Sequence, residues 1–242
     1  WATLHQIYDI HHILDRGRLF CHTLDMLATD KQRQKLVDFF QTGTKQTYAK
    51  GEYIVRPGDS PRGVLYIQSG FVKAHDITKY GEENVLIIRT GGELVGLTFA
   101  VIDRDHTIIY SALSEVVLWM IPFDKLQQHI LDNPDIAVPM LDMVTRMYHL
   151  HGGRIMTLEY RTVRERMASF LLNMAERFGN ATDQGVQLTA PLRHQDIASS
   201  VSATRETASR TLSEFERKGY ISQNHSQITI TDKKALERML SS

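Results

Sequence analysis

The chain is poor in the groups that most often carry covalent or redox chemistry. It has one cysteine, Cys21, in 242 residues. A lone thiol closes no disulfide within the chain and forms no thiolate cluster, which suits a reducing, cytoplasmic setting. No apolar run is long enough to span a bilayer and no signal-peptide pattern opens the chain, so no membrane partner is expected. No nucleophile–base–orienter set stands out. Gly91-Gly92 is too short for a phosphate-cradling loop and no Lys-Ser/Thr comes after it. An enzyme is therefore not expected. His11, His12, Cys21 and His22 match no zinc spacing and are expected to be scattered surface or packing residues, so no metal site is assigned. Excess charge is also missing, with 28 Lys and Arg against 28 Asp and Glu.

That balance hides a division. Residues 1–160 carry 16 basic against 19 acidic side chains, and residues 161–242 carry 12 against 9. The basic end contains Gln195 to Tyr220, which reads as two short helices with a tight turn between them. Thr204 is placed to cap the second helix, its hydroxyl accepting a first-turn amide. At about 100° per residue, Ala208, Thr211, Leu212 and Phe215 share one side. Arg205, Glu206, Ser209, Arg210, Ser213 and Arg217 take the other, while Ile197, Ala198 and Val201 form the apolar side of the preceding helix. Arg donors match guanine O6 and N7, and Glu accepts from cytosine N4, which is the equipment of a helix that reads the major groove. An ordinary amphipathic helix with a solvated face gives the same wheel. The residues beyond the helix separate the two: Gly219 stops it, then Tyr220-Ile221-Ser222 and Gln227 to Thr231 alternate at period two around a polar turn. Helix-turn-helix plus hairpin is a winged helix.

Upstream, Leu24, Leu27, Leu36, Phe39 and Phe40 have the spacing of packing faces on short helices. From Thr47 the period changes to that of strands: Lys50 to Asp59 with a Pro-Gly-Asp turn, Val64 to Lys73 broken by Gly70, Asn84 to Arg89, then Ile108 to Ile121. Short strands with glycines at the corners predict a small antiparallel barrel or roll. Phe123 to Leu131 reads as a short helix, and Pro134 opens a long one. Its apolar stripe (Ile136, Met140, Met143, Val144, Met147, Leu150, Ile155, Leu158) is too broad for a solvated rod. A second copy of the helix is the simplest cover, with Met140, Met143, Met147 and Leu150 at the seam; packing on the chain's own barrel is the other option. Gly152-Gly153 is expected to mark a kink or a close approach. Residues 163–178 resume as an amphipathic helix, and Gly179 to Gly185 is expected to be a loop.

In this order the pieces resemble the CRP/FNR family of bacterial transcription regulators, from about residue 45 to 232. The resemblance rests on Gly51-Glu52-Tyr53-Ile54 with Pro57-Gly58-Asp59, and on Leu65 to Lys73. It rests also on Gly92-Glu93-Leu94-Val95-Gly96, Asn133-Pro134-Asp135 and Thr204 to Arg210. It implies an α+β fold: an antiparallel β-roll of the cyclic-nucleotide-binding type, a long dimerisation helix and a C-terminal winged helix-turn-helix. The implied domains are 1–132 for the roll with its N-terminal helices, 133–160 for the dimer helix and hinge, and 161–242 for DNA binding. By resemblance the chain is a homodimer that binds palindromic double-stranded DNA and is allosterically controlled by a signal at the roll. Arg205, Glu206 and Arg210 would contact bases, while Thr204, Ser209, Arg193 and His194 would contact phosphates or flanking bases. The loop Gly179 to Val186 matches a surface that could meet RNA polymerase. Ser202 departs from the family, which often has Gly in this turn.

The signal is not legible. Cyclic-AMP-binding members carry an Arg-Ser pair where this chain has Asp103 to Ile108, with His106 or Thr107 at the Arg position. Their Thr-Ser pair on the long helix is matched by His151-Gly152. Cyclic AMP binding by the usual mode is therefore not expected, and with one cysteine neither is an iron–sulfur cluster. Glu93, Gly96, Leu97, His106, Thr107, His151 and Gly152 are the candidate effector pocket for an unknown small molecule. His106 and His151 facing each other as a sensor or anion site, or ligating haem through one imidazole, are lesser options beside a plain reading as loop and helix residues. A second functional class is a sensing roll that regulates a partner protein; an Arg-bearing reading helix argues against it.

Overall fold

The computed structural model describes residues 27–56, 58, 59, 61–101, 107–224 and 227–241. Among the described residues of the N-terminal half are eight strands: β1 Thr44–Tyr48, β2 Tyr53–Val55, β3 Gly63–Ser69, β4 Phe71–Ile77, β5 Glu83–Thr90, β6 Leu94–Val95, β7 Ile109–Ala112 and β8 Val116–Pro122. They form two antiparallel sheets, ordered β1-β8-β3-β6 and β2-β7-β4-β5. The long apolar run expected as one strand broken by Gly70 is two strands, one in each sheet, with Gly70 at φ 93° between β3 and β4. That conformation is open to glycine and costly for other residues.

Period two explains how the sheets are covered. In β3, Leu65 and Ile67 enter a core shared by both sheets with Val55, Val72, Ala74, Tyr110, Ala112 and Leu118. Val64 and Tyr66 point the other way, into a second core with Leu36, Phe39, Phe40, Ile121, Leu126, Ile136 and Met140. Both faces of β3 are therefore buried from Gly63 to Ile67, which is why the strand reads as a continuous apolar run rather than an alternating one. The helices on the second core are α1 (Asp30–Gln41), α3 (Phe123–Asp132) and the start of α4 (Ala137–Tyr160); α2 (Leu97–Val101) comes between β6 and β7. Thr29 and Gln32 close a capping box at the start of α1, with the Thr29 amide donating to Gln32 Oε1 at 2.9 Å and the Gln32 amide to Thr29 Oγ1 at 3.3 Å. Leu36, Phe39 and Phe40 are buried as the wheel predicts, but Leu27 is exposed; Leu24, His11, His12, Cys21 and His22 lie outside the described residues.

The long helix comes after a 3-10 turn at Pro134–Ile136 and runs unbroken to Tyr160. The helix continues through Gly152 and Gly153, and within the chain no group approaches them closely: an added Cβ at either would meet nothing within 4 Å. The stripe is divided between two surroundings. Ile136 and Met140 are buried against α1 and the roll, with Met143 packed beside them. Val144 and Ile155 of the expected stripe are exposed, and so are Leu141 and Tyr148, which lie outside it, Tyr148 at 81%. Met140 thus serves the chain's own core, not the seam it was expected to form.

The C-terminal half comprises α5 Val163–Phe178, β9 Gly179–Thr182, β10 Gly185–Leu188, α6 His194–Ser200, α7 Arg205–Arg217, β11 Ile221–Asn224, β12 Gln227–Ile230 and α8 Lys233–Arg238. The wing is a four-stranded sheet, β11-β12-β10-β9, not a lone hairpin. Gly179 to Gly185, expected to be a loop, supplies β9 and the first residue of β10. Its sequence lacks apolar alternation; β9 pairs with the adjacent β10, and β10 is tied into the sheet by a remote strand, Val186 pairing with Ile230 of β12. The core of this half (Met167, Leu171, Ile197, Ala198, Val201, Leu212, Phe215, Ile230 among others) also takes Val85, Ile88 and Leu113 from the roll. The two halves share apolar packing. No described helix is long and apolar enough to cross a membrane.

Candidate nucleic-acid interface and its link to the roll

The reading helix is α7. Thr204 caps it, Oγ1 accepting the Thr207 amide at 3.1 Å. Two residues earlier Ser202 sits at φ 51°, the left-handed conformation. The turn needs positive φ, which explains why glycine suits it and why Ser bears some strain there. Ala208, Thr211, Leu212 and Phe215 are buried, and Thr211 donates to the Thr207 carbonyl at 2.8 Å, so its hydroxyl is satisfied within the helix. Arg205, Glu206, Arg210, Ser213 and Arg217 are exposed on the opposite face. The three predicted base-reading side chains are brought together on one solvent-facing surface, with Arg205 and Glu206 in the first turn.

The preceding helix, α6, begins beside them. Arg193 is exposed, its side chain at 71%, while its amide donates to Asp196 Oδ2 at 3.0 Å and fixes the helix start. His194 is half-buried, and its Nδ1 lies 3.0 Å from Ser209 Oγ on α7. Ser209 is thus engaged by a neighbouring helix rather than standing free, a pairing the helical wheel of α7 alone could not give.

Three cations tie this domain to strands β4 and β5 of the roll. Lys73 donates to Asp196 at 3.1 Å and to Glu83 at 2.6 Å. Arg154, on α4, donates to Asn84 Oδ1 at 3.1 Å and to the Ser200 carbonyl, bridging β5 and α6. Arg177, on α5, donates to the Ile88 carbonyl at 2.9 Å and to Glu93 at 3.0 Å. Burial pulls the Arg177 and Arg154 guanidinium groups below their usual range, with Glu93 opposing the shift at Arg177. The Asp196 carboxyl feels burial pushing it up, but the Arg193 amide and the Lys73 ammonium hold it below the usual carboxylate range.

The candidate effector residues divide. Glu93 and His151 both lie beside Arg89 and Arg177 at this junction: Glu93 pairs with Arg177 and, at 3.7 Å, Arg89. Desolvation, then Arg89, Arg154 and Arg177, lowers the His151 pKa and favours the neutral ring. Gly152 is the next residue on the same helix. Gly96 takes φ 83° at the corner after β6. Leu97 packs instead into the core beneath α1 and α3, and Thr107 is exposed. His106 lies outside the described residues, so a face-to-face pair with His151 has no structural account. Arg89, Arg154 and Arg177 were missed by sequence reasoning. Only Arg89 left a trace, as the one charge in the apolar run Val85 to Thr90. Among the described residues no three His, Cys, Asp or Glu side chains gather as a metal site would require.

Comparison with known proteins finds the cyclic nucleotide-binding domain family over residues 45–133 and the Crp-like helix-turn-helix domain family over residues 165–239. Electron transport regulator A of Shewanella oneidensis is 27% identical over 188 residues, covering 78% of this chain and 75% of that protein. The fumarate and nitrate reduction regulatory protein of Escherichia coli is 26% identical over 218 residues, 90% of this chain and 82% of its own. Among solved structures, a CooA variant from Carboxydothermus hydrogenoformans superposes with a TM-score of 0.74 at 21% identity, covering 90% of this chain and 99% of that one.

Proposed function

Because the chain belongs to the CRP/FNR family of DNA-binding transcription regulators, we propose that it acts in the cytoplasm as a homodimer reading a palindromic operator, switched by a small molecule received at the roll. The observation that carries this is the division of α7: one face buried to the last side chain, the other presenting Arg205, Glu206 and Arg210 to solvent. Arg205 and Arg210 donate to guanine edges, Glu206 accepts from cytosine, and Arg193 meets the phosphate backbone. Thr204 spends its hydroxyl on the helix cap and contacts DNA through proximity alone.

The dimer forms through α4. Leu141, Val144, Tyr148 and Ile155 recur at intervals of three, four and seven residues, the spacing of a two-stranded coiled coil, and all four are exposed in the single chain. His151 and Gly152 fall on the same stripe. An effector near Glu93, His151 and the three arginines touches the roll, the long helix and α5 at once, so it can bias both helix pairing and the placing of the reading heads. The exposed β9–β10 turn is the surface offered to RNA polymerase. Its exposure supports this role.

Selection of bound sequences from random DNA by the full-length protein tests the reading. The expected product is an inverted repeat with half-site centres about 34–36 Å apart, bound by two chains. Recovery of no common sequence, or binding by one chain at every concentration, overturns it.

A further inference from the structure

Ser209 lies on the groove-facing half of α7, yet its Oγ is 3.0 Å from His194 Nδ1. A hydroxyl has one proton to give. If Nδ1 is the acceptor, the Ser209 proton goes to the imidazole and the oxygen faces outward with lone pairs only. If Nδ1 carries a proton, the oxygen accepts it and the hydroxyl proton is free to donate elsewhere.

The other ring nitrogen decides between these. A neutral imidazole has one donor and one acceptor, and the partner of one nitrogen fixes the role of the other. His194 Nε2 has no hydrogen-bond partner among the described residues, and His194 is the first residue of α6, next to exposed Arg193. In helix-turn-helix docking the first helix crosses the phosphate backbone. A phosphate oxygen only accepts, so it holds the proton on Nε2 and leaves Nδ1 to accept from Ser209.

We infer that His194 is a positioning residue for sequence readout: held by a backbone phosphate, it turns the Ser209 hydroxyl so that the groove meets an acceptor. In the major groove an acceptor is matched by the exocyclic amines of adenine N6 and cytosine N4, and opposed by guanine O6 and thymine O4. One position of each half-site is therefore restricted to adenine or cytosine on the strand that Ser209 faces. The inference rests on the DNA-reading function and adds a base preference to it.

The test uses the full-length protein and operators that differ at single positions, with dissociation constants from fluorescence anisotropy. Ser209→Ala locates the position, as the one where discrimination disappears. There the wild type is expected to bind adenine or cytosine about fivefold more tightly per half-site than guanine or thymine, the worth of one ordinary hydrogen bond. His194→Leu keeps bulk but removes Nδ1. It should flatten the preference at that position alone, on top of a uniform loss from the missing phosphate contact. His194→Asn, whose Oδ1 can accept at the same place, should restore the preference without restoring the uniform loss in full. In the Ser209→Ala background His194→Leu should leave the base ratios unchanged. The inference is overturned if His194→Leu weakens all operators equally and keeps the preference, if the wild type favours guanine or thymine there, or if Ser209→Ala alters no ratio. Failure to bind any operator would instead count against the DNA-reading function itself. Should His194→Leu fail to fold, Ser209→Ala with His194→Asn still decides the matter.

Discussion

The Lys73 ammonium, on strand β4 of the roll, donates to the Asp196 carboxylate on the first helix of the helix-turn-helix at 3.1 Å, with Lys73 only 3% exposed and Asp196 1%. Asp196 also accepts the Arg193 amide at the helix start. One carboxylate therefore holds the geometry of α6 and anchors it to the sensor half. Removing one partner of a buried pair leaves an uncompensated charge, typically about 3–5 kcal/mol.

Lys73→Met tests that anchor. Asp196 can escape burial only if α6 lifts from β4 and β5. The expected outcome is a loss of about 3 kcal/mol in denaturant unfolding, or, where the halves part first, a larger radius of gyration by small-angle X-ray scattering. No change in either measurement would show that the pair contributes nothing to docking.

His75, 1% exposed and two residues along the same strand, gives the junction a pH dependence. Desolvation, then Lys73, lowers its pKa from the ordinary 6.5, with Glu83 opposing. Its Nδ1 has no hydrogen-bond partner among the described residues. The unfolded chain therefore takes up this proton at higher pH than the folded one. Stability is fully present above 6.5 and is lost as pH falls below it toward the lowered folded value. Thermal melts between about pH 7.5 and 5.5 should show the decline, and His75→Gln should flatten it. An equal decline in His75→Gln assigns the effect to other groups.

How much of this was legible in the sequence depends on the range of the interactions. Local signals read correctly: Thr204 as a cap, and the buried set Ala208, Thr211, Leu212 and Phe215. Helical periodicity placed Met140 and Val144 on one apolar stripe but not its division, because which of them meets the roll depends on α1. β9 escaped because its strand character comes from pairing with β10, which in turn pairs with distant β12. Lys73, Arg154 and Arg177 escaped for the same reason. Each is an ordinary exposed-type residue until the fold brings Asp196, Asn84 or Glu93 to it.

That division of the long helix makes a paired prediction. Tyr148→Glu places a charge on the exposed stripe and should yield a folded monomer by sedimentation, with unchanged far-ultraviolet circular dichroism and much weaker operator binding. Met140→Glu places the charge in a core with Phe40 and Ile136. It should destabilise the chain itself by several kcal/mol, the order expected for an unpaired buried charge. The reverse result, a Met140→Glu monomer that is stable and a Tyr148→Glu dimer, would exchange the two faces.

Arg205 and Arg193 lie at the starts of successive helices and are both exposed, yet the proposed roles differ, and so should the pattern of lost binding. Arg205→Ala removes a bidentate donor to a base edge. It should cost about 1–3 kcal/mol on the selected operator and relax preference at one base pair. Arg193→Ala removes a phosphate contact. It should weaken binding by a similar factor on every sequence and reduce the slope of log affinity against log salt by about one for each chain bound. The two are told apart by titrating each variant against operator and non-operator DNA over a series of salt concentrations. If Arg205→Ala behaves as described for Arg193→Ala, the first turn of α7 rides on the backbone and the base-reading surface lies further along, at Glu206 and Arg210.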